Sequence, residues 1–205
     1  VRVCNVLCRR LREWYGFYFP ELGRDVADNE AFVRIVLEKP RDVLMKEYNL
    51  KESLGGSFRE EDLAPMLSLA NRIHGLYGMR EELMVYLERM MEKECPNMLA
   101  VAGAGIGGKV LEEAGSLKRL AMMSSSTIQL LGAEQALFRH LKTGARCPKY
   151  GHIINHPLVA KAERSKKGKT ARMLANVMMK AARLDYFKGE FQGDVLLKEL
   201  EEKLG

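Results

Sequence analysis

The segment from Ser57 to Pro96 constrains the fold more than any other part of the chain, because its apolar residues recur at helical spacing. The apolar steps alternate between four and three residues, through Leu69, Ile73, Leu76, Leu83, Leu87 and Met90. This spacing is typical of a coiled coil and covers about three heptads, with Arg80 as an interruption. The segment therefore predicts a long helix that pairs as a coiled coil, with an amphipathic helix inside a bundle as the alternative.

Other local signals also favour helices. Ser57 and Glu60 have the spacing of a capping box, and Pro65 favours a regular helix that begins one turn later. Residues 126–141 show a single helical pattern, and only residues 152–154 look extended, which is too short for a sheet. We therefore predict an all-α fold, in which a coiled-coil module of long helices is followed by a compact helical domain.

The positive charge of the chain is concentrated in one segment. The whole chain has a net charge of +6, whereas residues 139–183 contain twelve lysines and arginines and one acidic residue, Glu163, and so carry +11. Such a block attracts polyanions. Aromatic rings at His140, Tyr150 and His152 lie within it and can stack on bases. The segment therefore predicts RNA binding, and a solvated surface with surplus lysine is the alternative.

A glycine-rich stretch, Gly103–Lys109, resembles two nucleotide-binding motifs. Gly103, Gly105 and Gly108 satisfy GxGxxG, and Gly103, Gly108 and Lys109 nearly satisfy the phosphate loop. However, Val110 occupies the position of the magnesium-binding hydroxyl, and no βαβ frame surrounds the stretch. A helix, or two broken helices, whose small residues allow close packing is the preferred interpretation. A nucleotide-dependent enzyme that uses this stretch remains an alternative.

Cysteines and histidines give no metal or catalytic pattern. Cys4 and Cys8 share one helix face without nearby histidines, which indicates buried thiols in a reducing cytosolic or nuclear compartment. Cys147, His152 and His156 do not have the spacing of a common tetrahedral site. No hydrolase motif is visible. We therefore expect no metal, no cofactor and no enzymatic activity.

Several motifs in the second half of the chain resemble those of one family. The core is Gly132-Ala-Glu-Gln-Ala-Leu-Phe-Arg-His140, and it is accompanied by Leu117–Leu131, Lys142–Ala145, Pro148–Gly151, Gly168–Arg172 and Ala181–Phe187. Together they resemble the Nop-domain family, and in particular the archaeal scaffold proteins of box C/D RNA-guided methylation particles. The specific match spans roughly residues 115–190, and weaker similarity covers the remainder, including Leu11–Leu22.

The resemblance implies a domain order and a set of partners. Residues 1–114 would be a helical coiled-coil region that forms a homodimer, residues 115–190 the Nop domain, and residues 191–205 a C-terminal helix. The implied ligands are a box C/D guide RNA with a kink-turn and the small ribosomal-protein-like protein bound to it. Fibrillarin would associate only indirectly, because we expect its binding domain not to precede Val1. The location would be cytoplasmic in an archaeon and nucleolar in a eukaryote.

A splicing-type Nop protein, which would bind a kink-turn in a small nuclear RNA, is a second possibility. Motif by motif, the family implies RNA contacts at the start of the core helix and in the loop that follows. Combined with the charge pattern, the predicted RNA-binding residues are Gly132, Ala133, Glu134, Gln135, Arg139, His140, Lys142, Arg146, Lys149, Gly151, His152, Arg164, Lys166, Lys169 and Arg172. Gln135 stands where the family commonly has lysine. Leu137 and Phe138 are expected to support the helix from behind.

Overall fold

The computed structural model describes residues 2–204, and helices are the only regular secondary structure in that range. The α-helices are α1 (Arg2–Tyr15), α2 (Pro20–Asp25), α3 (Asn29–Glu38), α4 (Arg41–Glu47), α5 (Glu60–Glu94), α6 (Pro96–Ala114), α7 (Leu117–Met122), α8 (Ser125–Leu130), α9 (Glu134–Thr143), α10 (Pro157–Lys161), α11 (Lys167–Tyr186) and α12 (Gly193–Leu204). A short 3-10 helix, His152–Asn155, precedes α10. The all-α prediction is confirmed. None of the described helices has the length and apolar character needed to cross a membrane.

The chain divides between Leu83 and Met84 into two compact units. This division differs from the predicted boundary after residue 114, because α6 packs against α11 and α12 and so belongs to the second unit. The predicted C-terminal helix, α12, packs against α6 and α11 in the same unit. The assignment of residues 1–114 to dimerisation and of residues 115–190 to RNA binding stays a prediction.

The first unit encloses its own hydrophobic core. Helix α1 contributes four buried side chains at helical spacing, namely Cys4, Cys8, Leu11 and Tyr15. These pack with Phe19, which lies just before α2, and with Leu22, Phe32 and Leu44 from the following helices. Both cysteines of α1 are free and buried, as the sequence predicts, and burial raises the pKa of the Cys8 thiol.

Helix α5 confirms the predicted long helix, and its pairing as a coiled coil stays a prediction. In the first unit its buried residues are Met66, Ala70, Ile73 and Tyr77, and only Ile73 belongs to the predicted stripe. Leu83, of the same stripe, is 54% exposed. The helix also begins at Glu60 and continues through Pro65, so the later start was wrong. Burial of Met66 and Ala70 directly after the proline offsets the loss of one backbone hydrogen bond.

The second unit is built around α11. This helix contacts α6, α7, α8 and α12. Its buried face is Thr170, Ala171, Leu174, Ala175, Met178, Ala181 and Ala182, and the alanines allow the neighbouring helices to approach closely. At its end, the Asp185 carboxylate accepts hydrogen bonds from Asn97 N (3.0 Å), Asn97 Nδ2 (2.9 Å) and Met98 N (2.8 Å). Asp185 therefore satisfies the free backbone donors at the start of α6.

The glycine-rich stretch lies inside α6, and a kink at Gly103 divides that helix. Gly103 has φ 69° and ψ 161°, a conformation that is essentially restricted to glycine. The buried His156 ring bonds through Nε2 to the carbonyl oxygen of Val101 at 3.1 Å. The histidine therefore provides a partner for a backbone carbonyl beside the break in the helix.

Two further glycines of α6 allow close packing. A Cβ atom at Gly107 would lie 2.6 Å from Met91 Cε, and one at Gly108 would lie 2.9 Å from Leu87 Cδ2. No strand precedes the stretch within residues 2–204. The interpretation as broken helices with small packing residues is confirmed, and the frame that a phosphate loop needs is missing from the described residues.

Two local predictions were wrong. Residues 126–141 form two helices, α8 and α9, because Gly132 adopts φ 86° and turns the chain between them. The segment at residues 152–154 is part of the 3-10 helix and is not extended. Both errors arise where a turn is fixed by contacts between segments that are distant in the sequence.

Candidate nucleic-acid interface

The turn before α9 and the loop before the 3-10 helix are joined by backbone hydrogen bonds. Gly151 N donates to Gln129 O at 2.8 Å, and His152 N donates to Leu131 O at 2.8 Å. The Gln129 side chain donates to the carbonyl of Lys149. These bonds bring the predicted residues of the turn, beginning at Gly132, next to the predicted residues of the loop.

The two segments approach so closely that glycine is required on both sides. A Cβ atom at Gly151 would lie 1.9 Å from the Leu131 carbonyl oxygen. Gly132 has φ 86°, and a Cβ atom there would lie 2.4 Å from the His152 ring. Both glycines therefore set the shape of the turn, and neither tolerates a side chain without rearrangement.

Two predicted side chains already have partners in this chain. Glu134 Oε1 accepts a hydrogen bond from Gly132 N at 2.7 Å. His152 Nε2 lies 3.2 Å from Glu113 Oε1 of α6. Both side chains hold the turn and the loop in place, and their contact with RNA stays a prediction.

The lysines and arginines at residues 164–172 begin beside the same loop. Lys149 Cδ lies 3.7 Å from the position that a Cβ atom would take at Gly168, in the first turn of α11. Arg164 and Lys166 precede this turn, and Lys169 and Arg172 follow it. Lys149 therefore lies beside the lysines and arginines at the start of α11, although they are separated in the sequence. The backbone N–H groups at this helix start add further positive potential.

Helix α9 lies on the surface, since none of its residues is buried. Arg139 and Lys142 are exposed, and the His140 ring bonds through Nδ1 to Ala145 O and so ties the helix end to the next loop. The expected support from behind holds only in part. Leu137 is half-buried and lines a cleft with Leu130 and Leu131, whereas Phe138 is 60% exposed.

The predicted cations are exposed and mostly free of internal partners. Within residues 2–204, the one ion pair among them joins Lys166 to Glu163 at 3.6 Å, and both side chains are largely solvated. The other exposed cations are Arg139, Lys142, Arg146, Lys149, Arg164, Lys169 and Arg172. The chain's own carboxylates therefore leave the positive charge of this surface available for phosphate.

The structure adds residues that the sequence pattern did not identify. A cleft of about 300 Å³ is lined by Glu163 and by four lysines, namely Lys161, Lys166, Lys169 and Lys203, of which Lys203 also pairs with Glu199 at 3.6 Å. Lys203 comes from α12, far along the chain, so no local pattern could associate it with the block. Conversely, Arg183 at the end of the block donates from Nε to Ala121 O at 3.0 Å and so stabilises the end of α7.

The candidate metal ligands do not come together. Cys147 is exposed, and His152 faces Glu113. His156 is buried, with one ring nitrogen on Val101 O and the other accepting from Leu158 N, and burial lowers its pKa. Among residues 2–204, no three or more histidine, cysteine or acidic side chains are arranged to hold a metal ion.

Similarity to other proteins extends over the whole chain. A NOP5 family protein of Methanocaldococcus jannaschii is 38% identical over 219 residues, which cover 99% of this chain and 53% of that protein. Nucleolar protein 58 of Schizosaccharomyces pombe is 39% identical over 88% of this chain and 39% of its own length. Nucleolar protein 56 of Saccharomyces cerevisiae is 35% identical over 98% of this chain and 44% of its own length. This chain thus spans about half the length of these relatives or less.

A solved structure has the same fold. A chain in the crystal structure of a fibrillarin/Nop5p complex matches with a TM-score of 0.55 and 27% identity, over 99% of this chain and 67% of that chain. The sequence model of the Nop family, described as snoRNA binding domain, fibrillarin, matches residues 2–205. Since that match is almost complete and relatives above 30% identity cover nearly the entire chain, this protein belongs to the Nop family.

Proposed function

We propose that this chain is a non-catalytic scaffold that binds a kink-turn RNA in a box C/D particle for RNA-guided 2′-O-methylation. One observation carries the proposal: the turn at Gly132, the loop at Gly151 and the start of α11 form one neighbouring set with exposed, unneutralised cations. The Nop family description as a snoRNA binding domain supports it. The chemistry is positioning, in which lysines and arginines bind phosphates and fix the RNA relative to the protein.

The exposed face of α9 supports a composite ligand of RNA and protein. Phe138 and Leu141 are 60% and 70% exposed, and they lie on the same short helix as Arg139 and Lys142. Cations bind RNA phosphates, whereas exposed apolar side chains are typical of contact with a protein. We therefore propose that α9 contacts both the kink-turn and the small ribosomal-protein-like protein bound to it.

A gel shift with kink-turn RNA, with and without the small partner protein, tests this function. We expect tight, specific binding that requires the partner and weakens with salt. Arg139→Ala and Lys149→Ala should each reduce the salt slope by ~0.7–0.9 for a lost phosphate contact. Lys198→Ala, which removes an exposed lysine of α12, is the matched control and should leave the slope unchanged. Equal, weak and non-specific shifts with and without the partner would contradict the proposal.

We further propose that the chain forms a homodimer through α5. This helix exposes Met79, Leu83, Tyr86 and Met90, and such exposed apolar residues favour burial against a second copy. Light scattering should give twice the monomer mass. Leu83→Glu should give the monomer mass, and a wild-type protein that is already monomeric would contradict this part of the proposal.

Fibrillarin would be a component of the same particle, because the solved relative is a fibrillarin/Nop5p complex. Co-purification of fibrillarin with the assembled particle tests this association. The particle would be cytoplasmic in an archaeon and nucleolar in a eukaryote, as the names of the eukaryotic relatives indicate for those proteins.

Two alternatives have direct tests. A splicing-type protein would prefer a kink-turn from a small nuclear RNA over a box C/D kink-turn in a competition assay. A nucleotide-dependent enzyme would lose activity in Lys109→Ala and would gain thermal stability with ATP, whereas a scaffold would show neither effect.

A further inference from the structure

The solvent-facing side of α11 carries a continuous polar and cationic row. Lys169, Arg172, Asn176, Lys180 and Arg183 are all exposed and follow one another at steps of three or four residues. No acidic residue occurs between Lys169 and Arg183 in the sequence. From Lys169 to Arg183 the helix rises about 21 Å at 1.5 Å per residue. The row therefore continues from the proposed interface toward the other end of the helix.

A cleft of about 520 Å³ lies at that other end. Its apolar lining is Leu184, Phe187 and Leu196, and its polar lining includes Lys180, Arg183, Gln192 and Glu199. Phe187 is 65% exposed, although Tyr186 packs against its ring with centroids 5.0 Å apart. The volume is in the range of sites for small ligands.

The chemistry of this cleft matches a nucleotide. An exposed aromatic ring provides a stacking surface for any base, and lysine and arginine beside it bind the adjoining phosphate. The Gln192 amide provides donors and an acceptor for a base edge, and the Glu199 carboxylate, which also pairs with Lys203 at 3.6 Å, provides acceptors only. Arg183 is held in place by its Nε bond to Ala121 O, and its two terminal nitrogens have no protein partner within residues 2–204. An apolar peptide would not need two cations in the wall, so RNA is the better match.

We infer that this cleft binds an unpaired nucleotide of the RNA, stacked on Phe187, and that the strand reaches it along the cationic side of α11. This inference rests on the proposed RNA-binding function and adds a second contact to it. The distance of about 21 Å corresponds to roughly six stacked nucleotides at ~3.4 Å each.

The experiment compares two RNAs that differ in a single-stranded end. One is a blunt kink-turn RNA, and the other carries an extension of about eight nucleotides, which exceeds the ~6 that the distance requires. With the full chain and the small partner protein, we expect the extension to increase affinity by about tenfold, as expected for one stacked base. Phe187→Ala should lose this increase, Phe187→Tyr should retain it, and neither change should alter binding of the blunt RNA.

Phe191→Ala is the matched control. Phe191 is 54% exposed on the same segment between α11 and α12 but does not line the cleft. Its replacement should therefore leave the gain in affinity from the extension unchanged. Lys180→Ala should reduce the increase, whereas Lys198→Ala should not. Far-UV circular dichroism must show equal folding of all variants. If the extension gives no increase, or if Phe187→Ala and Phe191→Ala behave alike, the inference is wrong while the proposed function stands.

Photo-crosslinking separates the inference from the proposed function. A thiouridine in the extension, or in a free single-stranded oligonucleotide of the same sequence, should crosslink to the peptide that contains Phe187. Failure to bind the blunt kink-turn RNA would overturn the proposed function. In that case, a crosslink of the free oligonucleotide to Phe187 would still support nucleotide binding in the cleft. Crosslinks that lie only outside the cleft would overturn the inference.

Discussion

Gly151→Ala tests the close contact on which the candidate interface depends. In the native structure Gly151 N and His152 N donate to Gln129 O and Leu131 O, both at 2.8 Å. An alanine Cβ would lie 1.9 Å from Leu131 O, whereas real Cβ atoms stay at least 3.0 Å from other heavy atoms. The two backbone segments must therefore separate by about 1 Å. Because Leu131 presents backbone and not a flexible side chain, no rotamer change can relieve the clash.

The expected cost follows from the hydrogen bonds that this separation breaks. Each of the two bonds contributes about 0.5–1.5 kcal/mol, so the free energy of unfolding of the second unit should fall by roughly 1–3 kcal/mol. The assay is urea unfolding by far-UV circular dichroism, together with hydrogen exchange at the amides of residues 151 and 152. Exchange at these amides should accelerate by roughly five- to hundredfold, and affinity for the kink-turn RNA should fall.

Gly168→Ala is the matched control, because its Cβ atom would lie 3.7 Å from Lys149 Cδ, an ordinary contact. Alanine in a helix is at least as favourable as glycine, so stability should be unchanged or rise by at most about 1 kcal/mol. If Gly151→Ala unfolds within about 0.5 kcal/mol of the wild type and keeps slow exchange at both amides, then the steric argument is refuted.

Three further predictions concern the second unit. Burial lowers the pKa of His156 below its ordinary 6.5. The stability that the buried neutral ring contributes is therefore complete above pH 6.5 and is lost as the pH falls through the lowered pKa. The free energy of unfolding should decrease between about pH 8 and pH 5, and it should decrease less in His156→Gln. Gly103→Ala should lower the free energy of unfolding by about 1–3 kcal/mol, because alanine rarely adopts the backbone conformation of Gly103. Gly105→Ala should be tolerated, because its Cβ would lie 3.6 Å from a methionine methyl group. Equal melting curves for the two variants would contradict this. Asp185→Ala should lower the free energy of unfolding by about 2–4 kcal/mol, because Asn97 N, Asn97 Nδ2 and Met98 N lose the carboxylate that accepts their hydrogen bonds. A chemical-unfolding midpoint equal to that of the wild type would contradict this.

Much of the fold could be predicted from local patterns. The long helix at residues 60–94 and the burial of Cys4 and Cys8 on one face of α1 depend on spacing and residue type within one or two helical turns. The concentration of lysine and arginine in residues 139–183 could be recognised for the same reason. Spacing alone could not select the face of α5 that packs inside the first unit. Leu69–Leu76–Leu83 and Met66–Ala70–Tyr77 are both apolar at helical spacing, and only the packed neighbours bury the second set.

The sequence by itself determined that the chain is helical, where the positive charge lies and which family motifs are present, because these properties depend on neighbours along the chain. The tertiary structure decided which charges act together. It placed Lys149 against the start of α11, brought Lys203 into a cleft with Lys161, and assigned Arg183 and His156 to internal hydrogen bonds. These outcomes depend on contacts between residues that are far apart along the chain, and helical periodicity carries no information about such contacts.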